Sequence, residues 1–277
     1  MKRRSLLLSS LLAALLASAG ASGSPPDDRT YLVELYQAQF PAVELRDYVY
    51  GALLFSQDAK QQYDSMMEMP SWTSVLERGK SMWETPFRNG KTYADCFPNQ
   101  GRNVAGDYPY YDEKLGKVVT FEMALNMCRE ANGEQPYAYD DMNTMGTLEV
   151  HARTLSDGML MNVKVDTPAA LAAYNKGREL YFRRMGQLNF ACASCHVKAV
   201  GKHVRNEYLS PAIGQATHWP LFRGDGVLFT LQRRYSACQG LVRAQPFKLG
   251  SEQYNDLEYY HSYISNGLPI HAAVWRK

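Results

Sequence analysis

The chain has 277 residues, long enough for about two domains, with 45% apolar and 21% charged residues. That balance excludes a mostly disordered chain, and a formal charge of +2 points to no nucleic-acid-binding surface. One apolar run approaches membrane length, at the very N-terminus, so a polytopic membrane protein is excluded, and a collagen or coiled-coil rod with it.

Residues 1–21 read as a secretory signal peptide. Lys2, Arg3 and Arg4 form the positive region, Leu6 to Leu16 the short apolar region, and Ala17-Ser18-Ala19 a small-x-small cleavage site. Cleavage near Ala19 removes three positive charges from +2 and leaves the mature chain at −1, with no membrane span expected in it. Ser22 to Asp28 (SGSPPDD) is expected to form a flexible leader, held extended by Pro25 and Pro26. Export leads to an oxidising compartment, where five cysteines must be accounted for: Cys96, Cys128, Cys192, Cys195 and Cys238. Five is odd, so at least one is outside any internal disulfide.

Tyr174 to Met185 carries a helical pattern and leads into Cys192-Ala-Ser-Cys195-His196. In an exported protein CxxCH is the attachment signature of c-type haem, with two thioethers to the porphyrin and His196 as iron ligand. A redox CxxC would usually follow a strand, and a zinc site needs a second ligand pair. The sixth ligand is open at this point. The last methionine is Met185, so none follows the motif; the downstream candidates are His203, His218, His261, His271 and Cys238.

The chain also repeats itself. Thr120 to Tyr137 matches Thr230 to Phe247 at an offset of 110, with Thr, Cys, Gln and Pro identical. Leu148 to Met159 matches Leu257 to Leu268 at 109, and Gly79 to Trp83 resembles Gly177 to Tyr181. The counterpart of Cys192 to His196 is Tyr93-Ala-Asp-Cys96-Phe97, which lacks one cysteine and the histidine, so the first copy is expected to bind no haem. Cys96 and Cys128 are expected to pair as a disulfide, which leaves Cys238 as the odd thiol. Arg233, Arg234 and Arg243 stand where the first copy has Met123, Ala124 and Gly133. On a helix, Arg234 lies one turn before Cys238, where a guanidinium favours thiolate and suits an oxyanion.

GQLNFACASCHVKAVGK at 186–202, RRYSACQGLVRAQPF at 233–247 and the duplicated halves resemble SoxA, the cytochrome subunit of the sulfur-oxidising SoxAX complex, in its single-haem form. The resemblance implies a mainly α fold of two tandem cytochrome c-like domains, the first (22–165) degenerate and without haem, the second (166–277) haem-binding and catalytic. It implies one covalent haem on Cys192 and Cys195, His196 and Cys238 as axial iron ligands, and Cys238 as the catalytic thiolate or persulfide. Arg234 would bind substrate; Arg243 is added on charge grounds. The implied activity is that of an L-cysteine S-thiosulfotransferase in the periplasm, joining thiosulfate oxidatively to a cysteine of a SoxYZ-like carrier. A SoxX-like small cytochrome would be the heterodimer partner and electron acceptor. The rival readings are a plain electron-transfer cytochrome and a tetrathionate-forming thiosulfate dehydrogenase. Lys198, Lys202 and His203 are expected to be exposed loop residues, and Asp140-Asp141 a loop. Trp72, Trp83, Trp219 and Trp275 are expected to pack the two haem-like pockets.

Overall fold

The computed structural model describes residues 23–276, so the expected signal peptide lies outside the described residues. Pro25 begins a helix, α1 (Pro25–Gln39), where an extended leader was expected. Proline at the first helical position is already set to helical φ, and its missing N–H is one the helix would leave unpaired anyway. The Asp27 carboxylate accepts from both the backbone N–H and the hydroxyl of Ser24, at 3.1 and 2.7 Å, which fixes the helix start. Two short 3-10 turns then run from Leu45 to Phe55, kinked at Gly51 where φ is 57°. They lead to α2 (Gln57–Glu68) and α3 (Thr73–Glu84).

From α3 onward one order of elements occurs twice. In the first pass, a turn at Tyr93–Asp95 is followed by the hairpin β1 (Tyr110–Asp112) and β2 (Lys117–Val119). Next come α4 (Phe121–Ala131), a single π turn at Met142–Gly146 and α5 (Thr147–Thr154). Asp141 of the acidic pair caps that π turn through the Asn143 N–H at 2.9 Å. The second pass starts at α6 (Pro168–Phe182) and a one-turn helix, α7 (Cys192–His196). A small hairpin, β3 (His203–Val204) and β4 (Glu207–Tyr208), precedes the hairpin β5 (Leu221–Arg223) and β6 (Val227–Phe229). Then come α8 (Leu231–Leu241), α9 (Glu252–Tyr263) and a terminal strand, β7 (Trp275–Arg276), that pairs in parallel with β5.

The correspondence extends to packing. Thr120 and Thr230 cap α4 and α8 by the same bond, each hydroxyl accepting from the N–H three residues on. Gly79 of α3 lies on α5, where an added Cβ would stand 2.4 Å from the Thr147 carbonyl. Gly177 of α6 lies on α9, where a Cβ would stand 1.8 Å from the Asp256 carbonyl. In both crossings the backbones approach so closely that glycine alone fits.

The side-chain bonds of α1 run to the second pass. Asp28 is 8% exposed, pairs with Arg178 of α6 at 2.8 Å, and accepts from the Tyr174 hydroxyl at 3.0 Å. The Tyr36 hydroxyl donates to the His196 carbonyl at 2.6 Å and accepts from the Ala212 N–H at 3.1 Å. α1 thereby braces the turn that carries Cys192, Cys195 and His196. Among the described residues, no helix is long and apolar enough to cross a membrane.

Candidate functional site

α7 is a single turn, so Cys192, Cys195 and His196 all project from one short stretch of backbone. The Ser194 hydroxyl accepts from the Ala191 N–H at 3.0 Å and starts the turn. His196 is oriented from behind. Its Nδ1 lies 2.8 Å from the Ser210 carbonyl, which takes the Nδ1 proton, while the Gln215 side-chain nitrogen donates to the Ser210 hydroxyl at 2.6 Å. Nε2 has no hydrogen-bond partner among the described residues, which is the arrangement a metal-binding imidazole requires. Burial holds the imidazole down to about pKa 4, against the pull of the Ser210 carbonyl and with the Arg234 charge adding to the effect. The ring is therefore neutral at neutral pH, with its Nε2 lone pair available.

Cys238 sits in the last turn of α8 and is partly buried. Its charge reaches both thiols of the CxxC pair. Burial pushes the Cys192 thiol up to about 12, and Cys238 is the largest charge contribution after burial; Cys195 is raised by the same two causes. Arg234 lies one helical turn before Cys238, half-buried, with no carboxylate partner among the described residues. Arg233 points elsewhere: it donates to the Leu228 carbonyl at 3.1 Å and lies 4.4 Å over the Phe229 ring. Arg243 is exposed beyond the end of α8, with φ 59°, at the position where the first pass has Gly133 at 77°.

The downstream histidines have other occupations. His261 is 3% exposed, with Nδ1 on the Tyr235 hydroxyl at 2.8 Å and Nε2 on the Ala212 carbonyl at 3.3 Å. His271 Nε2 meets the Tyr63 hydroxyl at 3.3 Å. His218 is buried beside Trp219, and His203 lies at the surface against Tyr208, 3.8 Å between centroids with the rings tilted at 42°. Lys198 and Lys202 are exposed, as expected.

The residues present fit a haem. Two thiols and an imidazole with a free Nε2 share one turn, the charge of a third thiol reaches them, and Leu188, Phe190 and Leu241 are exposed. Leu188 and Leu241 belong to one edge, since the Leu188 N–H donates to the Val242 carbonyl at 3.2 Å. At the equivalent place in the first pass, Trp83 stacks on Tyr93 and Phe97 at 5.5 and 5.7 Å, and Phe97 meets Phe121 at 5.8 Å. Cys96 and Cys128 are joined there by a disulfide, as the repeat requires. The cavity beside it, about 300 Å³, is lined by residues that include Tyr93, Arg129 and Tyr137 but no cysteine or histidine. Of the four tryptophans, Trp83 alone packs as expected in such a pocket. Trp72 stacks on Phe222 at 4.8 Å and Trp275 donates to the Gly224 carbonyl at 2.8 Å, so both brace β5; Trp219 is buried beside His218.

Sequence reading missed Ser210, which orients His196, and Gln215, which holds the Ser210 hydroxyl. It also missed Arg223, whose charge is acted on by both Arg234 and Cys238. A backbone carbonyl and a lone glutamine side chain leave no motif, whereas Arg223 had a signal in the repeat, where Asp112 stands at its position.

A family profile described as the SoxA/TsdA cytochrome c domain matches residues 78–161. The chain is 42% identical to an L-cysteine S-thiosulfotransferase subunit SoxA of Chlorobaculum tepidum, over 87% of this chain and 84% of that protein. It is 36% identical to the protein of that name from Allochromatium vinosum, over 96% and 98%. A crystal structure of SoxXA from P. pantotrophus superposes with a TM-score of 0.71 at 30% identity, covering 80% of this chain and 85% of that one. The chain belongs to the SoxA family.

Proposed function

We propose that this chain is an L-cysteine S-thiosulfotransferase subunit that joins thiosulfate to a carrier cysteine, with Cys238 as its catalytic thiolate or persulfide. The observation that carries the reading is a free Cys238 whose charge reaches Cys192 and Cys195, with Arg234 one turn away on α8. In the overall reaction one S–S bond forms between thiosulfate and the carrier thiol, the thiol proton is released and two electrons leave. Cys192 and Cys195 would hold one haem covalently, His196 and Cys238 would bind its iron, and the group would supply the route by which the electrons depart. Arg234 holds the dianion against its repulsion from the Cys238 sulfur. The Ser210 carbonyl keeps the His196 proton on Nδ1 and so keeps Nε2 directed at the cofactor.

The fold assigned to this function is two tandem cytochrome c-like units, the first without haem. The repeated order of elements, the paired glycine crossings and the match of the cytochrome c profile to residues 78–161 support it. So does the aromatic and disulfide filling at Tyr93 to Phe97. A SoxX-like small cytochrome is the proposed heterodimer partner, since the structural neighbour is a SoxXA complex. A SoxYZ-like protein is the proposed carrier and the periplasm the proposed location. Arg243 keeps only an accessory place in substrate binding, because it is exposed beyond the end of α8.

The test is turnover of thiosulfate by the haem-loaded protein with and without a carrier bearing a free cysteine. Carrier-dependent consumption, with the carrier gaining the mass of a thiosulfate, is expected. Vigorous tetrathionate formation without carrier would favour the thiosulfate dehydrogenase reading instead.

A further inference from the structure

Arg223 ends β5, and its guanidinium is held by Glu207 of β4 at 3.1 and 3.4 Å. Its side chain is about a fifth exposed and that of Glu207 about two fifths, so the guanidinium is the more withdrawn of the two. Burial weakens its hold on its proton most, the Arg234 charge adds to that, and Glu207 and the Cys238 thiol act in the opposite sense. Arg223, Arg234 and Cys238 therefore share one electrostatic neighbourhood.

The two passes of the fold sharpen this. The first strand of each hairpin follows a proline, Pro109 or Pro220, and the registers run in parallel: Tyr110 pairs with Val119 and Leu221 with Phe229. Asp112, paired with Lys117, thus occupies the position of Arg223, paired with Val227. Ala124 occupies that of Arg234. Both guanidiniums are present only beside the thiol cluster, and the first pass has an acid and an alanine in their places. Glu207 has no counterpart. Pro109 lies 13 positions after Cys96, whereas Pro220 lies 25 after Cys195, and the extra length contains the β3–β4 hairpin. Two cations stand against one carboxylate, which leaves the Arg234 guanidinium without a carboxylate partner among the described residues and able to meet a small anion.

We propose that Arg223 is the second guanidinium of the anion site, binding thiosulfate together with Arg234 over Cys238, and that Glu207 is the positioning residue that aims it. This rests on the function proposed above and adds to it a substrate-binding residue and the insertion that orients it. A planar fork can keep one face on Glu207 while turning the other to sulfonate oxygens, which a lysine ammonium does less well.

The experiment is calorimetric titration of thiosulfate into the haem-loaded protein, held reduced so that no oxidation follows, with thiosulfate turnover measured in parallel. Arg223→Gln is expected to weaken binding roughly 10- to 100-fold, the loss of a charge-assisted hydrogen-bonding partner. Arg223→Lys is expected to weaken it about three- to tenfold, and both should leave the haem absorption spectrum as in the parent. KM should rise more than kcat falls. Should Arg223→Gln lose its haem spectrum, the lysine variant decides. Parent-like affinity in a variant with an intact haem spectrum overturns the role of Arg223 while leaving the function standing. A parent protein that binds thiosulfate yet cannot transfer it to a carrier overturns the function and not the anion site.

Discussion

Ala124 in the first half and Arg234 in the second occupy one position of the repeat, and the same is true of Cys128 and Cys238. One cysteine is in a disulfide and the other is free beside a guanidinium, so a single helix position does structural work in one copy and is available for chemistry in the other. Cys238→Ala is expected to lower thiosulfate turnover by roughly two orders of magnitude or more while haem attachment at Cys192 and Cys195 persists, as intact mass would show. A variant that keeps parent-like turnover would reduce the protein to an electron carrier. The CxxCH motif, the free thiol and Arg234 were legible in sequence because each is a residue type with a fixed spacing. Ser210 was not, because it acts through a backbone carbonyl that any loop of suitable shape can supply, and Gln215 was not, because a lone glutamine has no spacing to mark it.

Helix crossings carry the same lesson at the level of elements. The pattern Gly79 to Trp83 against Gly177 to Tyr181 announced a repeat, but its cause emerges only in three dimensions, where each glycine admits the backbone of a partner helix. Gly177→Ala is expected to destabilise the protein by about 3 kcal/mol, because its Cβ would meet a backbone carbonyl that cannot rotate aside. Thermal unfolding of the haem-loaded protein measures this. Replacing Cys96 and Cys128 together by serine should cost about 3–4 kcal/mol on the chain-entropy account, for a closure spanning 32 residues, and leave the haem spectrum unchanged. A shifted haem spectrum would mean that the first half shapes the cofactor site directly. α1 was misread as extended because two prolines in a polar stretch also fit a leader. The decision lies in long-range partners, Arg178 and Tyr174 for Asp28, which sequence spacing does not reveal.

Across the whole molecule, the halves meet over buried carboxyl groups. Glu122, Glu149 and Glu258 are 3–6% exposed, and Gln232 donates to Glu258 at 3.0 Å. Arg153, the neighbouring cation, is committed to the Trp219 and Ala105 carbonyls. Burial pushes Glu149 and Glu258 up to about 7, and Glu122 well upward. Each group binds its proton more tightly folded than unfolded, so its contribution is fully present below the ordinary value of 4.5 and is lost as pH rises through about 7. Buried His218 and His261, held low by desolvation, work in the other direction and lose their contribution as pH falls below 6.5. Comparing Glu258→Gln with the parent cancels the histidines: the melting temperature of the variant relative to the parent should rise between pH 5.5 and 7.5. A constant difference would show that the carboxyl does not titrate across that range. The central claim of the account is the sulfur of Cys238 opposite His196, and electron paramagnetic resonance of the oxidised, haem-loaded protein tests it most directly. A low-spin signal of one sulfur and one nitrogen ligand, lost in Cys238→Ala, is expected; two nitrogen ligands, or a signal that survives the substitution, would contradict it.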